Sequence, residues 1–176
     1  MGGMHDPRWD QIDGPADSPT ALPRVTYVQS AGHWRSDWRV GFISLTFDQR
    51  HRRRIRLSTD DGTLFLLDLA TAHAMNHGDG LTLENGNIIE VIAAPEALLE
   101  VRANDPTHMI QLAWHIGNRH LPAMIKSNVI YIRSDHVIRS MLTGLSAEVN
   151  DITGPFQPLG GAYSSSGTDS HDHSFK

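Results

Sequence analysis

The sequence predicts an α+β protein built from two small domains, and three observations support this fold class. Residues 39–93 alternate apolar and polar positions between turn signals, which is typical of β-strands. From residue 98 onward, two helical patterns separate four short apolar runs. Pro95 lies between the strand pattern of the first part and the mixed helix and strand pattern of the second. We therefore predict an all-β domain over 24–95 and a mixed domain over 96–163.

Composition limits the class of protein. The net charge of -5 argues against nucleic acid as the main partner. The absence of cysteine excludes disulfides and thiolate metal sites. No apolar run approaches the roughly 18 residues of a membrane span, and the N-terminus lacks the apolar part of a signal peptide. We expect a soluble cytoplasmic protein with no membrane partner, a disordered lead-in over 1–23 and a flexible tail over 164–176.

The first domain is predicted to consist of hairpins. Asn85-Gly86 is the favoured two-residue hairpin turn and stands between two apolar runs. Asp60-Asp61-Gly62 supplies a second turn, after a tract in which arginines alternate with apolar residues. In the earliest strand, Val40, Phe42 and Ile43 mark the buried side. The predicted strands cover residues 39–47, 53–58, 63–69, 81–84 and 88–93.

The second domain is predicted from two helices and four strands. Asp105 can cap a first helix that begins at Pro106, and Gly117 with Asn118 ends it. Ser134 or Asp135 caps the second helix. With strands over 98–102, 123–126, 129–133 and 147–152, the order is β-α-β-β-α-β, the pattern of ferredoxin-like domains. After it, Phe156 is expected to anchor an ordered crossing segment.

The candidate metal-binding residues are histidines near helix ends. His120 lies just past the last turn of the first helix, His136 opens the second helix, and His171 and His173 lie in the tail. Imidazole nitrogens with carboxylate oxygens suit Ni, Zn or Cu rather than Mg or Ca. The pattern alone is equally compatible with His120 as a C-cap side chain that meets the last helical carbonyls.

Neighbouring polar residues have blander interpretations. At about 100° per residue, His115 points roughly 140° away from His120, so a surface or supporting role is favoured for it. Asp135 is a helix cap rather than a ligand, and His136 is either a ligand or a surface residue. His73 and His77 flank a loop as surface residues.

A run of basic residues, Arg50 to Arg54, is the strongest local charge. It fits a nucleic-acid patch or a docking surface for an acidic partner. It also fits an edge strand kept soluble by charge, which the alternation with Ile55 and Leu57 favours. The tryptophans predicted to fill the core or an interface are Trp34, Trp38 and Trp114.

Four motifs stand in or next to the second domain: His115-Ile116-Gly117-Asn118-Arg119-His120, Asp135-His136-Val137, Gly154-Pro155-Phe156 and Gly160-Gly161-Ala162-Tyr163. Together they resemble the UreE family, the nickel chaperones of urease assembly. The match extends back through Asp60-Asp61-Gly62 and covers roughly residues 39–163. The resemblance implies a peptide-binding-like N-terminal β domain and a ferredoxin-like C-terminal domain that binds metal.

The resemblance further implies a homodimer formed through the second domain, with nickel on the two-fold axis and His120 of each protomer as the central ligand. His136 lies where some members have an auxiliary histidine, whereas Ser134 replaces a histidine of certain relatives. A two-fold axis doubles every ligand near it, and His136, His171 and His173 can complete the site. Ligand imidazoles must be neutral, so affinity should fall on mild acidification.

The predicted function is carriage of Ni(II) and its delivery to apo-urease through accessory proteins that include a GTPase, with Zn(II) or Cu(II) binding in vitro. One alternative is a mononuclear metal-dependent hydrolase, which needs three ligands fixed within one chain. The other is a ferredoxin-like interaction module without metal, for which the sheet offers one exposed aromatic candidate, Tyr131.

Overall fold

The computed structural model describes residues 22–160. The tail histidines His171 and His173, and all but the end of the predicted lead-in, lie outside these residues. The chain forms two compact units: the first runs through Ala97 and includes Thr153–Gln157, and the second contains Leu98–Ile152 and the chain from Pro158. The domain limits predicted from the sequence stay predictions. None of the helices within 22–160 is long and apolar enough to cross a membrane.

The first unit is a six-stranded sheet. Its order is β2-β6-β5-β1-β4-β3, with β1 parallel to β4, β2 parallel to β6, and the remaining neighbours antiparallel. Short 3-10 turns precede β2 and β3 at Ser36–Trp38 and Asp48–Arg50. The strands are β1 Arg24–Gln29, β2 Arg39–Leu45, β3 His51–Ser58, β4 Leu64–Ala74, β5 Gly80–Leu83 and β6 Ile88–Ala93.

Both predicted hairpins of the first unit are confirmed. Strands β5 and β6 pair around Asn85-Gly86, and β3 and β4 pair around the turn at Gly62. Gly86 and Gly62 have φ of 85° and 94°, a region where a residue with a Cβ is strained. Strand β4 is longer than predicted and contains His73. The prediction that His73 lies at a loop is therefore wrong. The register shifts between Arg52 and Arg54, and beyond the shift β4 stays paired with β3, His73 with Arg52 and Ala74 with His51.

The predicted buried side of β2 is only partly correct. Ile43 is buried, but Val40 and Phe42 are 53% and 42% exposed, and Leu45 takes their place in the core. Side chains alternate across a strand, so Ile43 and Leu45 share one face while Val40 and Phe42 share the other. Strand β1 was not predicted, because its burial signal rests on Val25 and the rest of the strand is exposed or half-buried.

The second unit has the predicted β-α-β-β-α-β order and confirms the ferredoxin-like fold. Its sheet order is β10-β7-β9-β8, and the strand residues Leu99, Val101, Ile130 and Ile132 pack against Leu112, Ile116 and Leu142 of the helices. The elements are β7 Pro95–Arg102, α1 Pro106–Gly117, β8 Met124–Lys126, β9 Val129–Arg133, α2 His136–Gly144 and β10 Glu148–Pro155.

The prediction that Phe156 anchors the segment after β10 is confirmed. Its surroundings also explain why Arg50, at the start of the basic run, is buried. Phe156 is fully buried in the first unit and meets the Phe47 ring edge-on at 5.5 Å between centroids. Its carbonyl accepts a hydrogen bond from Arg50, a residue only 3% exposed. Burial lowers the pKa of Arg50. Arg50 therefore belongs to the interior, unlike the arginines that follow it.

Of the three tryptophans predicted to fill the core or an interface, two lie outside the core of this chain. Trp34 is half-buried and packs over Gly80, where an added Cβ would lie 2.9 Å from its ring. Trp38 and Trp114 are 45% and 63% exposed, so the prediction of a core position is wrong for both. Their role at an interface stays a prediction.

Candidate metal centre

The end of α1 places His120 in an unusual backbone conformation. The amide of Asn118 donates to the Trp114 carbonyl at 2.8 Å, and the amide of His120 donates to the Gly117 carbonyl at 2.9 Å. The chain thus continues the helical turn up to His120, whose φ is 55°. Such a left-handed conformation after a helix usually belongs to glycine, because it costs an L residue about 1–2 kcal/mol. Here it carries an exposed imidazole.

The imidazole of His120 does not cap α1. The guanidinium of Arg119 takes the available helical carbonyl instead, donating to His115 at 3.0 Å. Within residues 22–160, the His120 side chain has no hydrogen-bond partner. No residue of this described range therefore occupies either ring nitrogen.

At the start of α2, Asp135 caps the helix and the neighbouring His136 is a candidate ligand. The Asp135 carboxylate accepts hydrogen bonds from the amides of Val137 and Ile138 at 2.8 and 2.9 Å. The hydrogen bond from Ile138 is the main reason that the pKa of Asp135 is lowered. Its predicted role as a cap is confirmed, as is that of Asp105 on α1, which accepts from the His108 amide at 2.8 Å. His136 is exposed at the first position of α2.

Two further histidines of the second unit have other environments. The ring of His115 is half-buried and meets Trp114 edge-on at 5.0 Å. His108 uses both ring nitrogens: Nδ1 accepts from the amide of Asn104 at 3.1 Å, and Nε2 donates to the carbonyl of Leu145 at 2.8 Å. His108 therefore connects the start of α1 to the end of α2. Its spacing on the helix gave no signal of this role, because both partners lie outside α1.

Exposed apolar side chains accompany these histidines on both helices. Ile110 and Trp114 lie one turn apart on α1 and are 71% and 63% exposed, and Val137 on α2 is 61% exposed. No three His, Asp or Glu side chains of residues 22–160 come together in an arrangement that could hold a metal ion.

The fold and these helix ends define a two-domain α+β protein whose ferredoxin-like domain presents the exposed histidines His120 and His136 at its helix ends. Models of the N-terminal and C-terminal domains of the UreE urease accessory protein match residues 27–94 and 96–176. The chain belongs to the UreE urease accessory protein family.

Individual relatives support this membership, and each is named urease accessory protein UreE. A Chelativorans protein is 57% identical over 134 residues, covering 75% of this chain and 85% of its own. A Bradyrhizobium protein is 48% identical over 153 residues, covering 85% and 74%. An Agrobacterium fabrum protein is 50% identical over 149 residues, covering 85% and 92%.

Family membership confirms the resemblance found in the sequence and gives the chain a role in urease maturation. The family consists of accessory proteins and not enzymes, so the alternative of a metal-dependent hydrolase is wrong. The alternative of a ferredoxin-like interaction module without metal stays a prediction, because the family name gives a role in urease maturation and does not specify a metal.

Proposed function

We propose that this protein carries Ni(II) as cargo and delivers it for assembly of the urease active-site metallocentre. The observation that carries the proposal is His120, an exposed imidazole at a φ of 55° that has no hydrogen-bond partner among residues 22–160. Non-glycine residues in the left-handed region cluster at active sites and ligand-binding sites. Unpaired imidazole nitrogens suit nickel, as they also suit zinc and copper. Copper should bind more tightly in vitro, so nickel loading depends on metal availability.

The proposed site needs two copies of the chain. One imidazole cannot hold a transition metal, but a two-fold axis brings His120 of each protomer to the same ion. The exposed Ile110 and Trp114 on the same helix supply an apolar surface for contact between the second domains of a homodimer.

The remaining ligands are proposed to come from optional groups. His136 at the start of α2, and His171 and His173 in the tail, complete the coordination of the ion. Because none of these is required to hold it, the site stays open and can pass nickel on. The proposed recipients are the urease accessory GTPase and the complex it forms with apo-urease, in the cytoplasm.

Equilibrium dialysis against Ni(II), with gel filtration alongside, tests the proposal. His120→Ala should lose the tightest site, one ion per dimer, while the dimer persists. His73→Ala removes an exposed imidazole from the first unit and should leave the tight site unchanged. Unchanged stoichiometry in His120→Ala would reject the proposal.

The auxiliary ligands are tested in the same assay. His136→Ala and removal of residues 164–176 should each lower the affinity or the number of bound ions without dissociating the dimer. Titration curves that superimpose on the wild-type curve would show that these groups do not ligate.

A further inference from the structure

Strand β3 forms an outer edge of the first unit's sheet and carries a concentration of positive charge. It pairs with β4 on one side and is last in the strand order, so its other edge pairs with no described strand. Four of its eight residues are arginines, and three of those are exposed. We call this set the basic edge; it consists of Arg52, Arg53, Arg54 and Arg56.

Few carboxylates offset this charge. Asp68 on β4 accepts a hydrogen bond from Arg24, and the Nε of Arg54 lies 3.5 Å from its other oxygen. Arg53 is close enough to Asp68 to help lower the pKa of that carboxyl group, whereas Arg56 forms no ion pair within residues 22–160. The basic edge therefore keeps a local positive excess in a protein whose net charge is -5.

The alternation of side chains along β3 places two of these arginines on one face of the strand. Leu57 is buried and Ile55 packs against the core, so Arg54 and Arg56 project from the opposite face of β3. Their two-residue spacing equals the side-chain repeat of an extended segment lying beside the strand. Protection against edge-to-edge aggregation explains a charged edge, but it does not require four arginines within eight residues.

We propose that the basic edge binds an extended acidic segment of a partner protein, added to the sheet alongside β3. Backbone hydrogen bonds along the free edge would supply affinity, and guanidinium–carboxylate pairs would supply selectivity. The turn after β3 limits the surface, because Asp60 and Asp61 repel an acidic chain there. Both carboxylates are already engaged, Asp60 by Ser44 and Asp61 by Thr63. The inference is independent of nickel binding at His120.

Fluorescence polarisation with a labelled poly-glutamate peptide tests this docking surface. Wild type should bind at low ionic strength and release the peptide as salt is added. Arg54→Gln/Arg56→Gln should weaken binding about fivefold or more, as expected for the loss of two exposed pairs. Lys126→Glu makes the same change in net charge in the second unit and should alter affinity by less than about twofold.

The outcomes that would overturn the proposal are distinct from one another. They are no binding of the peptide to wild type, an equal loss in Lys126→Glu, and tighter binding of a single-stranded oligonucleotide than of the peptide.

Amide chemical shifts provide a second readout. Perturbation along residues 52–56 supports addition to the edge, whereas perturbation confined to α1 contradicts it. Nickel dialysis of the arginine variant should match wild type.

Discussion

At the scale of single residues, the proposed metal binding depends on His120, whose imidazole forms no hydrogen bond with the described residues around it. Arg119 takes the carbonyl that His120 was a candidate to meet, and His108 spends both ring nitrogens on backbone groups. Two histidines of one helical region thus have opposite roles. The sequence placed His120 after the helix, but only the observed hydrogen bonds distinguish an open imidazole from a committed one.

The backbone conformation of His120 predicts that two variants lacking the imidazole differ in stability. His120→Gly and His120→Ala both remove the imidazole, but only glycine tolerates a φ of 55° without cost. His120→Gly should therefore be more stable than His120→Ala by about 1 kcal/mol, after the greater entropy that glycine loses on folding is subtracted. Urea unfolding monitored by circular dichroism measures the difference. Equal stabilities would show that the left-handed conformation is not retained in solution.

At the scale of elements, local signals predicted most of the second unit. Asp105, Pro106 and Asp135 mark helix starts through hydrogen bonds and ring geometry that act within a few residues. Gly62 and Gly86 mark turns for the same local reason. The first unit was harder. Strand β1 lies between β5 and β4 and is held by pairing with distant strands, and its own sequence shows little alternation.

The cap of α2 predicts a dependence of stability on pH. The pKa of Asp135 is lowered, chiefly by the hydrogen bond from the Ile138 amide. A carboxyl group with a lowered folded-state pKa contributes stability above its unfolded-state pKa of about 3.9 and loses it as pH falls through the folded-state value. The free energy of unfolding of Asp135→Asn should therefore lie furthest below that of wild type at neutral pH.

Unfolding curves recorded between neutral pH and about pH 3 check this expectation. The difference between wild type and Asp135→Asn should narrow below about pH 4. A difference that stays constant across the range would contradict an ionised cap.

At the scale of the whole molecule, chain order and compact units do not coincide. Thr153–Gln157 belongs to the first unit, where Phe156 is fully buried and Arg50 holds its carbonyl. The sequence indicated that Phe156 is an anchor, but not which residues receive it. A partner more than a hundred residues away leaves no local pattern. The same limit applies to the metal site, because a ligand contributed by a second copy has no spacing within one chain.

The central claim is that His120 imidazoles from two protomers share one nickel ion. Mixed dimers test it most directly: wild-type and His120→Ala chains carry different affinity tags, the mixed species is purified through both, and bound Ni(II) is counted by equilibrium dialysis. A dual-tagged wild-type dimer is the control. The account predicts that the mixed dimer loses the tight site as completely as the His120→Ala homodimer does. Retention of half the wild-type nickel at unchanged affinity would show that each chain holds its own ion and would contradict the account.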